Sequence, residues 1–391
     1  MIPIREIQNV STTWNIRQEV VEKDYALGWL LAGIAQHSVL SETWVFKGGT
    51  CLRKCYYETF RFSEDLDFTV TVPELIKPVK LLLIFQEISQ WIQANVGIEL
   101  ELNEDSFKSY PNKRGVLSTQ GKIGFIGPQV KPTSPKIKID LTCDELIASS
   151  PVRRNVIHGY SDWDSGVHVL SYSLEELTAE KLRALAERCR PRDLYDVVHL
   201  YGNANLAGRE AYVHSLLQKK SEYVGIPTPT LEIIQTEENY QGISERWENM
   251  LGHQLPPPLI SLDVFWNKLP QIFDWLEGRP QVPALKPAEM KGDQSVILNP
   301  TSINFARIGF DITLLRYCAF NRLKVDLDYE AVNGEVGWRR VEPYSLRRSQ
   351  DGNVLLYLVN QEGSLRSYRI DRIRSIRASS VPFVPRYQVE F

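Results

Sequence analysis

Residues 44–70 constrain the fold of this chain more than any other stretch. Trp44-Val-Phe-Lys-Gly-Gly-Thr reads as a short apolar strand, a Gly48-Gly49 turn and a helix opening at Thr50. Phe62-Ser-Glu-Asp-Leu-Asp-Phe-Thr-Val then runs into a strand that carries Asp65 and Asp67 two residues apart. Side chains alternate along a strand, so the two acids share one face while Phe62, Leu66, Phe68 and Val70 take the other. Two carboxylates aimed the same way repel unless a cation lies between them. Hard divalent cations accept oxygen ligands from carboxylates and polyphosphates together. A Gly-Gly turn at a helix start adds free N–H groups and a positive dipole end for phosphate. The stretch therefore predicts a nucleoside triphosphate site, with Asp65 and Asp67 holding the metal and Gly48 and Gly49 against the phosphates. Thr50 and Ser63 offer hydroxyls to the same phosphates, or serve as cap and turn residues.

The rest of the chain is long enough, at 391 residues, for two or three domains. Five dispersed cysteines without a Cys-x-x-Cys argue against a disulfide frame or zinc site and for a reducing cytoplasm. No apolar run approaches a membrane span, and the N-terminus lacks a signal-peptide pattern, so no membrane association is expected. A net charge of −3 gives no global nucleic-acid signal, so any basic surface must be local. Residues 316–377 hold 12 Lys and Arg against 8 Asp and Glu, a local excess.

Residues 5–37 read as helical from their spacing, with Ser11-Thr12-Thr13 offering a cap, and another helix starts from Pro73. Alternation and turn signals predict sheet strands within 97–140. The last of these places Ile137, Ile139 and Leu141 on one face and Lys138 and Asp140 on the other. Asp140 then offers a third carboxylate for two-metal phosphoryl transfer, or simply begins a turn. Ser173, with Glu176 three residues on, caps a helix over 171–189. Within it Lys181 alone reads as a solvated face. Asp193 reads as the N-cap of the next helix, with Asp196 in its first turn. Residues 205–280 look helical and aromatic-rich. Periodicity lapses around 281–300, and short β runs follow a helix at 303–320, joined by Asn333-Gly334 and Asp351-Gly352 hairpin turns. The expected division is a core at 1–170, a helical domain completing the site at 171–282, a linker at 283–302 and a small β domain at 303–391.

Phe46-Lys-Gly-Gly-Thr-x-Leu-x-Lys with Arg61-Phe-Ser-Glu-Asp-Leu-Asp resembles the signature of the AbiE-type abortive-infection nucleotidyltransferases, within the polymerase-β-like superfamily. Ala179-Glu-Lys-Leu-Arg-Ala-Leu and Pro191-Arg-Asp-Leu-Tyr-Asp resemble that family's third and fourth motifs, and the match spans about residues 15–280. The resemblance implies an α+β fold: a mixed sheet with flanking helices, a helical second domain and the small C-terminal barrel. It implies transfer of a nucleoside monophosphate from an NTP to RNA, at the tRNA 3′ end, in a toxin of phage defence with a cognate antitoxin. Asp65, Asp67 and Asp140 would hold Mg²⁺ or Mn²⁺, Lys181 would contact the triphosphate, and Asp193 would complete the catalytic set. Gly48, Gly49, Thr50 and Ser63 would lie at the nucleotide.

Residues 313–377 resemble a WYL domain, a small SH3/Sm-like β-barrel that serves as a sensor in bacterial regulators. The matching stretches are Arg339-Arg-Val-Glu-Pro-Tyr-Ser-Leu, Leu356-Tyr-Leu and Ser367-Tyr-Arg-Ile-Asp-Arg-Ile. By that analogy Arg339, Arg340, Tyr344, Arg369 and Arg372 bind a nucleotide or nucleic acid. The plainer reading is a solvated barrel used for homodimerisation. Two alternatives to RNA modification stand beside the main one. One is a non-enzymatic nucleic-acid-binding regulator with a degenerate nucleotidyltransferase domain, which the intact acids, glycines and lysine oppose. The other is nucleotide transfer to a protein or small molecule.

Overall fold

Alternation of apolar and polar residues along the N-terminal strands builds a sheet with one greasy and one polar face. The computed structural model describes all residues except 58–60, 113, 130, 164–165, 202, 258, 280–284, 293 and 299–311. It divides into two compact units, Met1–Leu255 with Ser261–Pro280, and Pro256–Ile260 with Gln281–Phe391.

The larger unit contains strands β1 (Trp44–Lys47), β2 (Asp65–Val70), β3 (Glu99–Glu101), β4 (Phe107–Pro111), β5 (Leu117–Ile126), β6 (Lys136–Thr142), β7 (Val152–Asn155) and β8 (His168–Ser171). Their order is β3-β5-β6-β2-β1-β8-β7, with β4 beside β5. The β2–β6 and β1–β8 pairs are parallel and the others antiparallel, a mixed sheet. Trp44, Phe46, Leu66, Phe68, Ile137, Ile139 and Leu141 are buried on the apolar face. There Phe68 meets Trp44 and Phe46 at ring distances of 5.1 Å each. Phe85 of helix Pro78–Val96 packs on Phe107 at 4.9 Å, covering the same core.

The stretch expected to be helical over 5–37 forms two helices, Ile4–Trp14 and Gln18–Gln36. Asn15, left-handed at φ 50°, ends the first, so Ser11-Thr12-Thr13 lies in a last turn rather than at a cap. Buried Asp24 of the second helix binds Arg53 at 2.8 Å and Lys54 at 2.9 Å, anchoring the chain just after the glycine turn. The helix Leu174–Arg188 starts as expected, with the Ser173 hydroxyl accepting from the Glu176 N–H. The Glu176 carboxylate, though, takes the N–H groups of Ala148 and Ser149. Helices Pro191–Tyr201 and Glu210–Val224 pack beside it. Strand β4 falls within the 97–140 stretch expected to be sheet, whereas β7 and β8 have no counterpart in the sequence reading; each is four residues long and carries little alternation.

The smaller unit has a helix at Ile312–Phe320 and strands β9 (Val296–Ile297), β10 (Leu323–Glu330), β11 (Val336–Arg348), β12 (Val354–Val359), β13 (Leu365–Arg369) and β14 (Ile373–Pro382). They form an antiparallel sheet ordered β13-β12-β11-β10-β14, with β9 beside β11. Among the described residues no pairing of β13 with β14 closes it, so it is a small β domain rather than a closed barrel. Gly334 and Gly352 take φ values of 84° and 80°, as the two hairpin turns require. The parts of the expected linker and helix at 283–284, 293 and 299–311 lie outside the described residues.

Candidate active site

The polar face of the sheet gathers the acids. Register sets Asp65 beside Lys138, Asp67 beside Asp140, and Lys47 beside Asp67 on the other flank. Asp140 has both oxygens engaged: Gln120 Nε2 donates to Oδ1 at 3.0 Å, and Lys138 ion-pairs with Oδ2. Neither the Asp65 nor the Asp67 carboxylate has a hydrogen-bond or ion-pair partner among the described residues. Burial pushes both carboxyls above the ordinary aspartate value, and Asp140 adds to the push. Lys138 opposes it at Asp65, and Lys47 and Lys181 oppose it at Asp67. Among the described residues no three His, Cys, Asp or Glu side chains form a ready metal cage. What fits a hard cation is the Asp65–Asp67 pair: half-buried, on one face and unpartnered.

The glycine turn is sterically obligatory. Gly48 sits at φ 81°, and a Cβ there would collide with Asp67 Oδ2. A Cβ on Gly49 would lie 2.6 Å from Arg61 Nη2 and 3.1 Å from Ser63 Oγ. The helix opens at Gly48, not Thr50, and passes into a π-helical turn over Leu52–Tyr56. Thr50 is fully buried and its hydroxyl donates to the Asp65 carbonyl, tying the turn to the acid strand. That hydroxyl is therefore engaged in the scaffold.

Across from the acids lies a buried ion network. Lys181 is 7% exposed, so the solvated-face reading of this lysine gives way. Its Nζ lies 2.6 Å from Asp196 and 3.5 Å from Asp193. Arg61 donates to both Asp196 oxygens at 2.8 and 2.9 Å and to Gln254 at 2.9 Å. Arg188 does the same to Asp193 at 2.7 and 2.8 Å. Asp193 is not an N-cap: the helix begins at Pro191, and the Asp193 carboxylate turns to Arg188 and Lys181. Burial disfavours ionisation of Asp196, yet Arg61 and Lys181 together hold its carboxyl below the usual range. Because Arg61 also abuts Gly49, the network links the glycine turn to the helical layer. Arg61, Gln120, Lys138 and Arg188 carry no role in the sequence reading, and Asp196 only that of a helix first-turn acid. Arg61 and Asp196 lie inside the motif stretches, which was a usable signal; nothing local marked Gln120 or Lys138.

Beyond Gln120 the same face continues into a cavity of about 310 Å³ lined by Lys108, Lys122 and Lys136 beside Glu101 and Asp105. Tyr110, 39% exposed, stands on this face, and burial together with the Asp140 charge raises its phenol.

In the smaller unit the five residues expected at a ligand surface do not converge. Arg339 and Arg340 are strand neighbours and point to opposite faces. Arg339 lies over the Tyr329 and Tyr368 rings at 5.3 and 5.6 Å, whereas Arg340 pairs with Asp326 at 2.7 Å. Arg369 pairs with Asp371, and Arg372 is half-buried nearby. Tyr344 is fully buried with Tyr357, Val359 and Phe383, at a bulge following Pro343.

An acid pair on a sheet face, a glycine turn against it and a buried lysine facing it define a nucleotidyltransferase. A family model described as the nucleotidyl transferase AbiEii toxin of type IV toxin–antitoxin systems matches residues 29–277, and the chain belongs to that family. A WYL domain model matches residues 312–378. Among solved structures, the nucleotidyltransferase toxin MenT4 from Mycobacterium tuberculosis is 19% identical with a TM-score of 0.52, covering 72% of this chain and 91% of its own, a likeness of fold. Proteasome accessory factor B/C of Arthrobacter aurescens covers 92% of this chain and 71% of its own at 10% identity, and its TM-score of 0.18 carries no argument. No curated protein sequence matches. The α+β expectation and the enzyme reading hold, and the degenerate-regulator alternative falls with the family assignment. No helix among the described residues is long and apolar enough to cross a membrane.

Proposed function

We propose that this enzyme transfers a nucleoside monophosphate from an NTP to an RNA hydroxyl at the tRNA 3′ end. It acts in the cytoplasm as a phage-defence toxin held in check by a cognate antitoxin. The carrying observation is the unpartnered Asp65–Asp67 pair against the Gly48-Gly49 turn. In this reading Asp65 and Asp67 hold Mg²⁺ or Mn²⁺, while the Gly48 and Gly49 N–H groups and Ser63 lie against the phosphates. Such a cation, when bound, withdraws charge from the triphosphate. Lys181, positioned by Asp193 and Asp196, sets a positive charge across from Asp67. The acceptor oxygen bonds to the α-phosphorus as the bond to the bridging oxygen breaks, pyrophosphate leaves, and the hydroxyl proton passes to solvent. Positioning and charge neutralisation suffice for this chemistry, with no covalent intermediate on the protein.

The lysine-lined cavity favours a nucleic-acid acceptor over a protein or small molecule. Lys108, Lys122 and Lys136 suit backbone phosphates, and Tyr110 offers a stacking surface close to the acids. The test incubates the protein with each labelled NTP, Mg²⁺ and total tRNA, beside Asp65→Ala and Asp67→Ala. Label should enter tRNA with the wild type and vanish with both variants. Equal labelling by all three proteins, or none with any NTP, overturns the reading. Label on protein instead of tRNA overturns its acceptor half.

A further inference from the structure

Asp65, Asp67 and Asp140 lie together on the polar face, but they are not equivalent. Asp65 and Asp67 are unpartnered, whereas Asp140 is closed off on both oxygens by side chains from its own strand and the next. We propose that Lys138 stands, as a fixed side-chain cation, where a second divalent metal would otherwise sit, so that the site works with one metal ion held by Asp65 and Asp67. This inference rests on the nucleotidyl-transfer reading of the site.

The strand register makes Lys138 part of the site. It lies opposite Asp65 in the parallel β2–β6 pair and two residues before Asp140, so all four groups project from one face. Gln120, opposite Asp140 on β5, holds the oxygen that Lys138 leaves. Lys138 already supplies Asp140 with a positive partner, as no side chain among the described residues does for Asp65 and Asp67. A second divalent ion at Asp140 would have to displace that ammonium from Oδ2 and Gln120 from Oδ1.

Metal stoichiometry tests this without relying on turnover. Mn²⁺ bound per chain is counted by electron paramagnetic resonance with an α,β-methylene nucleoside triphosphate present. The wild type should bind one ion, Asp67→Asn should lose it, and Asp140→Asn should keep it. Lys138→Ala should bind two ions, because it frees the Asp140 oxygen, and Lys138→Met, which retains the apolar stem, should do the same. Two ions in the wild type, or a single ion in both Lys138 variants, overturns the proposal. No ion in the wild type would instead sink the nucleotidyl-transfer site itself. Lys138 is partly exposed, so a thermal melt run in parallel separates loss of fold from loss of binding.

Discussion

At the scale of single residues, the site stores its cost in Asp65 and Asp67. A carboxyl whose folded value is raised above its unfolded one destabilises the native state at neutral pH. Asp67→Asn should therefore abolish transfer yet raise the melting temperature of the metal-free protein, by about 2–4 °C for each roughly 1 kcal/mol relieved. An unchanged or lower melting temperature would contradict the unpaired state of this carboxylate. Because Asp140 raises both acids, Asp140→Asn should move the acid limb of Mn²⁺ affinity to lower pH, read by titrating Mn²⁺ across pH. Gly48→Ala meets both a left-handed backbone and the Asp67 carboxylate. A displacement of about 1 Å at such a position costs on the order of 100-fold in kcat. The shared face of Asp65 and Asp67 was legible from alternation alone. Lys181 was not: its leucine neighbours say nothing of acids twelve and fifteen residues on that fold back against it.

At the scale of elements, the helices Leu174–Arg188 and Pro191–Tyr201 are joined to the glycine turn by buried charge. Asp196 lies between Arg61 and Lys181, all three buried. Asp196→Ala removes the carboxylate that Arg61 and Lys181 share, and chemical denaturation should show a loss of about 3–5 kcal/mol. A loss below about 1 kcal/mol would mean that the network is not closed in solution. Since the Asp196 carboxyl is depressed in the folded state, its stabilisation is full above the unfolded value and fades as pH falls through the folded one. Glu64 behaves likewise. His253 bonding, against the counter-effect of burial and with help from Lys23, lowers it to about 2. Stability should drop as pH falls from about 4.5 towards 2, by at most about 3 kcal/mol. Glu64→Gln should flatten that slope in unfolding curves measured between pH 5 and 3.

At the scale of the whole molecule, the division into two units predicts unfolding that is not two-state. Calorimetry should resolve two transitions, and Mn²⁺ with a nucleotide analogue should shift only the one belonging to the acid-bearing unit. A single transition shifted as a whole would show the units to be thermodynamically fused. The net charge of −3 repels polyanions globally, so acceptor binding must depend on local lysines. Affinity for tRNA should fall steeply with salt. Lys122→Glu with Lys136→Glu should flatten the log–log slope by about 0.7 for each single-strand phosphate that the lysines no longer neutralise. An unaltered slope would place the acceptor elsewhere.

The sequence by itself determined the half of the site that is local. A period of two puts both acids on one face, and the glycines, the Ser173 cap and the Asn-Gly and Asp-Gly hairpins are read from their own neighbours. Only the tertiary structure decided the other half. Strand register sets Lys138 and Gln120 on Asp140, and helix packing closes Lys181 on Asp193 and Asp196. A bulge turns Tyr344 into the core. Each of these depends on which distant segment lies alongside, and backbone pairing and side-chain burial settle that only once the whole sheet and its helices have assembled.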